Sequence, residues 1–220
     1  MNLMTFWHGR TLSNALLGLM LSLYGILAIA EELSPAQKVI QETASQLQVS
    51  LQKPEYKNDF KKATTLVDSI INPHVDFDRV AILVLGQNWK KATPDQRIRF
   101  KQEFRMLLVR TYTTAFTEYS NWNIRYLPLD SDGSDKKVVV KTEVLQAGGQ
   151  PVMVNYRMIN DGTEWKVYDV LIEGISLLQN YRTSFASDLE QNGSLDQLID
   201  QLVKRNASAL REPVNGTSDS

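Results

Sequence analysis

KVVVKTEVLQAGGQPVMVNYRMINDGTEWKVYDVLI, residues 137–172, contains three runs rich in β-branched and aromatic residues, each with a hydrophobic period of two. Gly148-Gly149 and Asn160-Asp161-Gly162 separate these runs, and a fourth run precedes them across Asp130-Ser131-Asp132-Gly133. A period of two is typical of strands, and short turns of Gly, Asn and Asp join antiparallel neighbours. The sequence therefore predicts an antiparallel meander of about four strands, at residues 124–127, 137–145, 152–159 and 165–172.

Helical periodicity is present on both sides of this predicted sheet. Ser34-Pro35 and Thr93-Pro94-Asp95-Gln96 each combine an N-cap residue with proline at the first helical position. Asp76 can cap a short helix that Gly86 ends. The predicted helices cover residues 34–53, 57–71, 77–85, 93–119 and 176–185, and a last one begins at Ser194. The fold class is therefore α+β, with helices packed on an antiparallel sheet.

The predicted strands are apolar on both faces. Strict alternation over residues 165–172 places Val167 and Asp169 on one face and Val170 and Ile172 on the other. A sheet covered on both faces needs helices on one side and something else on the other, and an enclosed ligand is one candidate. Because apolar stripes usually form ordinary core, the pattern alone favours a plain helix-covered core over a cavity.

Composition excludes several classes of function. The 24 Lys and Arg balance 25 Asp and Glu, so we expect no nucleic-acid partner. The chain has no cysteine and two histidines, which leaves no thiolate chemistry and no His-based metal cluster. We therefore expect no metal and no cofactor.

The first 30 residues have the layout of a signal peptide. Arg10 precedes an apolar run from Leu12 to Ile29, and Ala28-Ile29-Ala30 matches an A-x-A cleavage site. An uncleaved membrane anchor is the alternative, but Gly and Ser residues dilute the run and no basic cluster follows it. We expect cleavage after Ala30, a folded domain over residues 31–211, and a disordered tail over residues 212–220.

Catalysis has little support in the sequence. The chain contains no G-x-S-x-G, no P-loop, no G-x-G-x-x-G and no H-E-x-x-H. Asp169 and Glu173 lie at the end of an apolar strand, where a carboxylate can serve as an acid or base. A structural ion pair or backbone hydrogen bond is the favoured interpretation of both residues.

Two stretches resemble the MlaC family, whose members are also known as toluene-tolerance or ABC-transporter auxiliary proteins. The first comprises VDFDRVA at residues 75–81, Leu85-Gly86, Trp89, ATP at 92–94, QR at 96–97, Phe100, EF at 103–104 and LLVRTY at 107–112. The second comprises WKVYDV at 165–170, IEGISL at 172–177, NYR at 180–182 and Phe185. The resemblance extends over residues 34–206.

This resemblance implies a periplasmic, non-enzymatic phospholipid carrier that helps to maintain outer-membrane lipid asymmetry. Its implied partners are an inner-membrane ABC transporter with an MCE-domain subunit and an outer-membrane lipoprotein–porin complex, and we expect a monomer. The implied fold is a curved sheet of the nuclear-transport-factor or cystatin-like type, wrapped by helices, with acyl chains between sheet and helices.

On this basis we expect the acyl chains to contact Val80, Val84, Phe104, Leu108, Val140, Val154, Tyr156, Val170 and Ile172. Tyr112 and Tyr181 should lie nearer the mouth, and Arg157 or Arg182 could meet a phosphate. We expect residues 77–85 and 175–185 to act as movable walls. Two other hypotheses remain open: an enzyme that uses Asp169 or Glu173 as acid or base, and a protein-interaction adaptor with no cavity.

Overall fold

In the computed structural model, residues 32–118, 122–131, 135–146 and 148–210 are described. The α-helices are α1 Pro35–Leu51, α2 Pro54–Lys57, α3 Phe60–Ile71, α4 Phe77–Leu85, α5 Gln87–Lys91, α6 Pro94–Glu118, α7 Leu177–Asn192 and α8 Leu195–Ala209. A short 3₁₀ turn, Asn72–His74, joins α3 to the chain before α4. The strands are β1 Trp122–Tyr126, β2 Lys137–Gln146, β3 Val152–Asn160, β4 Trp165–Ile172 and β5 Ile175–Ser176.

The strands form one antiparallel sheet in sequence order, which confirms the predicted α+β class and the meander. The four predicted strands are present, with ends that differ by at most two residues. The fifth strand was not predicted. It pairs with β4 across Glu173-Gly174, whose φ angles of +49° and +80° form the kind of two-residue turn that suits a hairpin.

A β-bulge in β4 overturns the predicted alternation of its side chains. Arg157 pairs with Asp169 and Met158 pairs with Val167, so Tyr168 is an extra residue. Strict alternation wrongly placed Val167 and Val170 on opposite faces. Because of the extra residue, both lie on the inner face of the sheet.

Local sequence signals position α1 and α6 as predicted, whereas the short helices α2 and α5 were not predicted. The hydroxyls of Ser34 and Thr93 accept hydrogen bonds from the backbone N–H groups of Gln37 and Gln96, completing two capping boxes. Helix α7 continues to Asn192, beyond the predicted end at residue 185, because the first residue in a left-handed conformation is Gly193, with φ of +79°.

The helices pack on the inner face of the sheet, where α1, α4 and α7 contact β2 and β4. One apolar cluster lies between α4, α6, α7 and α8. A second joins α1 to the sheet, and a third joins α1, α3 and α6. Val139, on the opposite face of β2, is 40% exposed. The helices therefore cover one face of the sheet, and the opposite face is partly open to solvent.

No helix within the described ranges is long and apolar enough to cross a membrane. The predicted signal peptide and its cleavage after Ala30 lie outside those ranges, as does the predicted tail from residue 212 onward. Both therefore stay predictions.

Candidate functional site: an apolar cavity between sheet and helices

A cavity of about 400 Å³ lies between the inner face of the sheet and the helices. Side chains of β1 to β4 line one side, and side chains of α1, α3, α4, α6 and α7 line the other. Almost the whole wall is apolar. Burying apolar groups in such a space is favourable by about 0.8 kcal/mol per methylene, so the cavity suits a long hydrocarbon chain.

Four short side chains leave space on the sheet side of the cavity. Val144, Val152, Val154 and Val170 lie on neighbouring strands and are all only partly buried. Valine is stiff and favours strands, but it does not reach across to the facing helix. At the other end of the sheet, Met158 is completely buried and fills the corresponding space.

Two tyrosines and an exposed alanine line the cavity beside the C-terminal half of α6. Ala115 is the exposed residue among the described lining residues, and Tyr112 and Tyr181 lie near it on α6 and α7. Burial raises the pKa of Tyr112 to about 12, with a further contribution from Tyr181. Burial also raises the pKa of Tyr181, whose ring packs edge-on against Phe104 with centroids 5.1 Å apart. This part of the wall is therefore aromatic, and its hydroxyl groups remain protonated at neutral pH.

Comparison with known proteins decides the family. A sequence model described as "MlaC protein" matches residues 37–204. The chain belongs to the MlaC family. It is 31% identical over 185 residues to the toluene tolerance protein ttg2D of Pseudomonas putida. That alignment covers 82% of this chain and 85% of the relative.

Two further comparisons agree. Over 181 residues the chain is 26% identical to the intermembrane phospholipid transport system binding protein MlaC of Haemophilus influenzae, covering 80% of this chain and 82% of that one. The fold resembles that of a phospholipid-binding protein from Ralstonia solanacearum, solved with a phospholipid bound, with a TM-score of 0.75 and 30% identity. That alignment covers 81% of this chain and all of the other.

Most of the residues predicted to contact acyl chains line the cavity of this MlaC-family chain. They are Val80, Phe104, Leu108, Tyr112, Val154, Tyr156, Val170, Ile172 and Tyr181. The bulge at Tyr168 helps, because it turns Val170 toward the same face as Val167. Their contact with a lipid stays a prediction.

Val84 and Val140 lie elsewhere, so their predicted place on the cavity wall is wrong. Val84 is 2% exposed and packs with Phe100 and Phe185, where α4 meets α6 and α7. Val140 is fully buried in the cluster that joins α1 to the sheet. Both side chains fill space between elements in contact, so neither has a free surface for a ligand.

The two arginines predicted near a headgroup do not line the cavity either. Arg157 Nη1 donates to Asp169 Oδ2 at 2.9 Å, which holds the guanidinium at the sheet. Arg182 packs against the C-terminus of α4, where a Cβ on Gly86 would lie 3.5 Å from its Nη2. A cation there is stabilised by the negative end of the helix dipole. Each guanidinium thus has a structural position away from the cavity.

The carboxylates of the enzyme hypothesis have structural contacts. Asp169 is 5% exposed and accepts hydrogen bonds from Arg157 Nη1, from Ser176 Oγ at 2.7 Å and from Leu178 N at 3.1 Å. Glu173 is exposed at the β4–β5 turn and accepts from Met153 N at 2.5 Å. Asp169 reaches the cavity wall with both carboxylate oxygens hydrogen-bonded, whereas Glu173 does not line the cavity.

Sequence reasoning missed the wall that α1 and α3 form. Its members are Ile40, Thr43, Ala44, Leu47, Val67 and Ile71, together with His74 and Val75 from the chain that follows. The amphipathic pattern of α1 and α3 predicts a buried face, but it does not distinguish a face that packs on a core from one that borders a cavity.

Proposed function

We propose that this MlaC-family chain is a periplasmic carrier that encloses the acyl chains of a glycerophospholipid. The observation that carries the proposal is the apolar cavity of about 400 Å³, which opens to solvent at one side. The names of the Haemophilus and Ralstonia relatives both mention phospholipid, which supports the same assignment.

The physical requirement for such a carrier follows from the cost of exposing hydrocarbon to water. Each methylene costs about 0.8 kcal/mol when it leaves an apolar environment, so a diacyl lipid does not cross an aqueous compartment at a useful rate alone. The side chains that line the cavity, such as Val80 and Tyr181, provide the apolar surroundings that the bilayer otherwise gives the acyl chains. The headgroup stays at the mouth, near Tyr112 and Tyr181.

We further propose that the chain acts as a monomer between two membrane complexes. The family resemblance supports an inner-membrane ABC transporter with an MCE-domain subunit as one partner and an outer-membrane lipoprotein–porin complex as the other. Shuttling between them would maintain outer-membrane lipid asymmetry. Export to the periplasm rests on the predicted signal peptide.

A carrier is a better proposal than an enzyme for this cavity. Acid or base chemistry needs a carboxylate free to exchange a proton with a substrate. Asp169 instead holds β4, β3 and the start of α7 together through three donors.

Release requires a state that binds the lipid less tightly, and we propose that α4 and residues 175–185 move to create it. A disulfide between α7 and β4 should then leave lipid binding intact and slow transfer from loaded protein to acceptor vesicles. Because the chain has no cysteine, engineered pairs are free of competing thiols. A disulfide between Lys141→Cys and Asn155→Cys, which are paired within the sheet, is the matched control. Unchanged transfer in the α7–β4 variant would refute the movable wall.

Binding itself is tested with vesicles that contain a fluorescent phosphatidylglycerol. After incubation, the protein is separated from the vesicles by gel filtration. The carrier predicts that the label elutes with the monomeric protein. Label that stays entirely with the vesicles would favour the adaptor hypothesis.

A further inference from the structure

A buried carboxylate holds the start of α7 against the sheet. The Asp169 side chain is 1% exposed, and it accepts hydrogen bonds from Ser176 Oγ at 2.7 Å and from Leu178 N at 3.1 Å. Ser176 is the N-cap of α7, and its hydroxyl oxygen also accepts from Gln179 N at 3.0 Å. Negative charge at a helix N-terminus is favourable, so Asp169 fixes the place where α7 begins.

The first residues of α7 form part of the cavity wall. Leu177, Leu178 and Tyr181 line the cavity, and Asp169 itself reaches the wall. Tyr181 also packs edge-on against Phe104 on α6, with ring centroids 5.1 Å apart. Movement of this end of α7 away from β4 would uncover a ligand in the cavity. The hydrogen bonds that Asp169 accepts therefore keep the cavity closed on this side.

The cation that pairs with this carboxylate is accessible from outside the protein. Arg157 Nη1 donates to Asp169 Oδ2 at 2.9 Å, and the Arg157 side chain is 43% exposed. In the sheet Arg157 pairs with Val139, which is 40% exposed and lies on the face that the helices leave partly open. The ion pair thus joins a group that solvent reaches to one that solvent does not reach. A carboxylate of another protein can approach the guanidinium without approaching Asp169.

Two lysines beside Val139 make this part of the outer face basic. Lys137 and Lys141 lie two residues before and after Val139 on β2, so they point to the same face and are diagonal neighbours of Arg157 on β3. Lys137 is exposed. Lys141 pairs with Asp130 at 2.7 Å, and this contact is open to solvent, since the two side chains are 42% and 81% exposed. Exposed pairs are weak, so a competing carboxylate can replace Asp130. We call these four residues, Lys137, Val139, Lys141 and Arg157, the outer basic patch.

We propose that the outer basic patch binds an acidic segment of a partner protein, and that this binding releases the lipid. This inference rests on the proposed phospholipid carrier and adds the event that opens it. A run of Asp and Glu residues complements the charge of the patch, and the fork of Arg157 suits a carboxylate, to which it can donate two parallel hydrogen bonds. A protein segment fits better than a membrane surface, because the patch has three cations and membrane-binding clusters have about four to eight.

The release follows from the burial of Asp169. A partner carboxylate that binds Arg157 from outside draws the guanidinium away from Asp169. The buried carboxylate then keeps only the uncharged donors Ser176 Oγ and Leu178 N, and an ion in the interior without its counterion is unfavourable. It regains contact with solvent when the start of α7 moves off the sheet, and that state binds the lipid less tightly. Without the partner, the ion pair keeps the cavity closed around its cargo.

The test measures how fast protein loaded with fluorescent phosphatidylglycerol transfers the label to acceptor vesicles of phosphatidylcholine. An octaglutamate peptide supplies the acidic segment, and octaglutamine is the uncharged control peptide. We expect saturating octaglutamate to accelerate transfer from the wild-type protein by about tenfold, and octaglutamine to leave the rate unchanged. A parallel measurement replaces the peptide by acceptor vesicles that contain anionic lipid, and these should accelerate transfer less than octaglutamate does.

Variants separate the ion pair from the docking surface. Arg157→Gln should transfer lipid about tenfold faster than the wild type without peptide, and octaglutamate should not accelerate it further. Arg157→Lys should transfer at an intermediate rate, because it retains the charge without the planar fork. Lys137→Gln keeps the ion pair, and octaglutamate should accelerate it less than the wild type. Lys204→Gln removes an exposed cation of α8 and is the matched control, which should behave as the wild type with and without peptide. Thermal unfolding is recorded for each variant, and if Arg157→Gln does not fold, Arg157→Lys and the wild-type protein decide the question.

The outcomes separate this inference from the proposed function. A wild-type transfer rate that octaglutamate leaves unchanged overturns the inference, and so does a folded Arg157→Gln variant that transfers lipid at the wild-type rate. Anionic vesicles that accelerate transfer as much as the peptide would mean that the patch binds a membrane surface, which overturns the protein partner. In these three cases the wild-type protein still carries lipid, so the carrier stands. A wild-type protein that takes up no phosphatidylglycerol overturns the carrier and this inference with it.

Discussion

Partly filling the cavity should stabilise the protein and weaken lipid binding at the same time. Val154 lies on β3 between Thr142 and Ile172, and its side chain faces the cavity. Val154→Phe adds four carbon atoms where an acyl chain would lie. At about 0.8 kcal/mol per buried methylene, the lost space weakens lipid binding by about 3 kcal/mol, or roughly 200-fold. The same carbons cover exposed apolar wall in the lipid-free protein, so they stabilise it by up to about 3 kcal/mol.

The assay is differential scanning calorimetry of the delipidated protein, followed by lipid titration. A gain of this size raises the unfolding temperature by about 2–4 °C for each kcal/mol. Val140→Phe is the matched control, because Val140 lies on the neighbouring strand and is fully buried. Overpacking there should lower stability by about 1–3 kcal/mol. A Val154→Phe protein that unfolds at a lower temperature and binds lipid normally would refute the cavity as the lipid site.

Two further predictions concern buried polar groups. Asp169→Asn removes the charge that Arg157 Nη1, Ser176 Oγ and Leu178 N surround. Thermal unfolding should show that the free energy of unfolding falls by about 2–4 kcal/mol. A decrease of less than about 0.5 kcal/mol would contradict the structural role of Asp169. Burial raises the pKa of Tyr112 and of Tyr126 to about 12, so the folded protein retains protons that the unfolded chain loses above about pH 10. The contribution of these two tyrosines to stability should therefore be complete below about pH 10 and fall between about pH 10 and 12. Tyr126→Phe should reduce the slope of the free energy of unfolding against pH over this range. A free energy of unfolding that does not change over this range would contradict the burial of these hydroxyls.

Local signals in the sequence were sufficient for the long helices and the four main strands, but not for the short elements α2, α5 and β5. The caps at Ser34 and Thr93 and the turns at Gly148-Gly149 and Asn160-Asp161-Gly162 act within a few residues, and the structure has helices and turns at these places. The bulge at Tyr168 was missed because it depends on how β4 pairs with β3, which the alternation of one strand does not contain.

The site could be predicted only in part, because a cavity is a property of spacing between elements. Val140 and Val154 are both valines on the inner face of adjacent strands, yet one is fully buried and the other borders the cavity. What differs is the helix opposite, which the strand sequence does not specify. The prediction for Arg157 failed for a related reason: its partner Asp169 lies on the neighbouring strand, so the ion pair is visible only after folding.

The most direct test of the carrier is native mass spectrometry of the protein, exported to the periplasm and purified without detergent. The lipid released on denaturation is then extracted and identified. The account predicts a complex with stoichiometric phospholipid that survives purification. A bare protein mass that remains bare after incubation with phospholipid vesicles would contradict it.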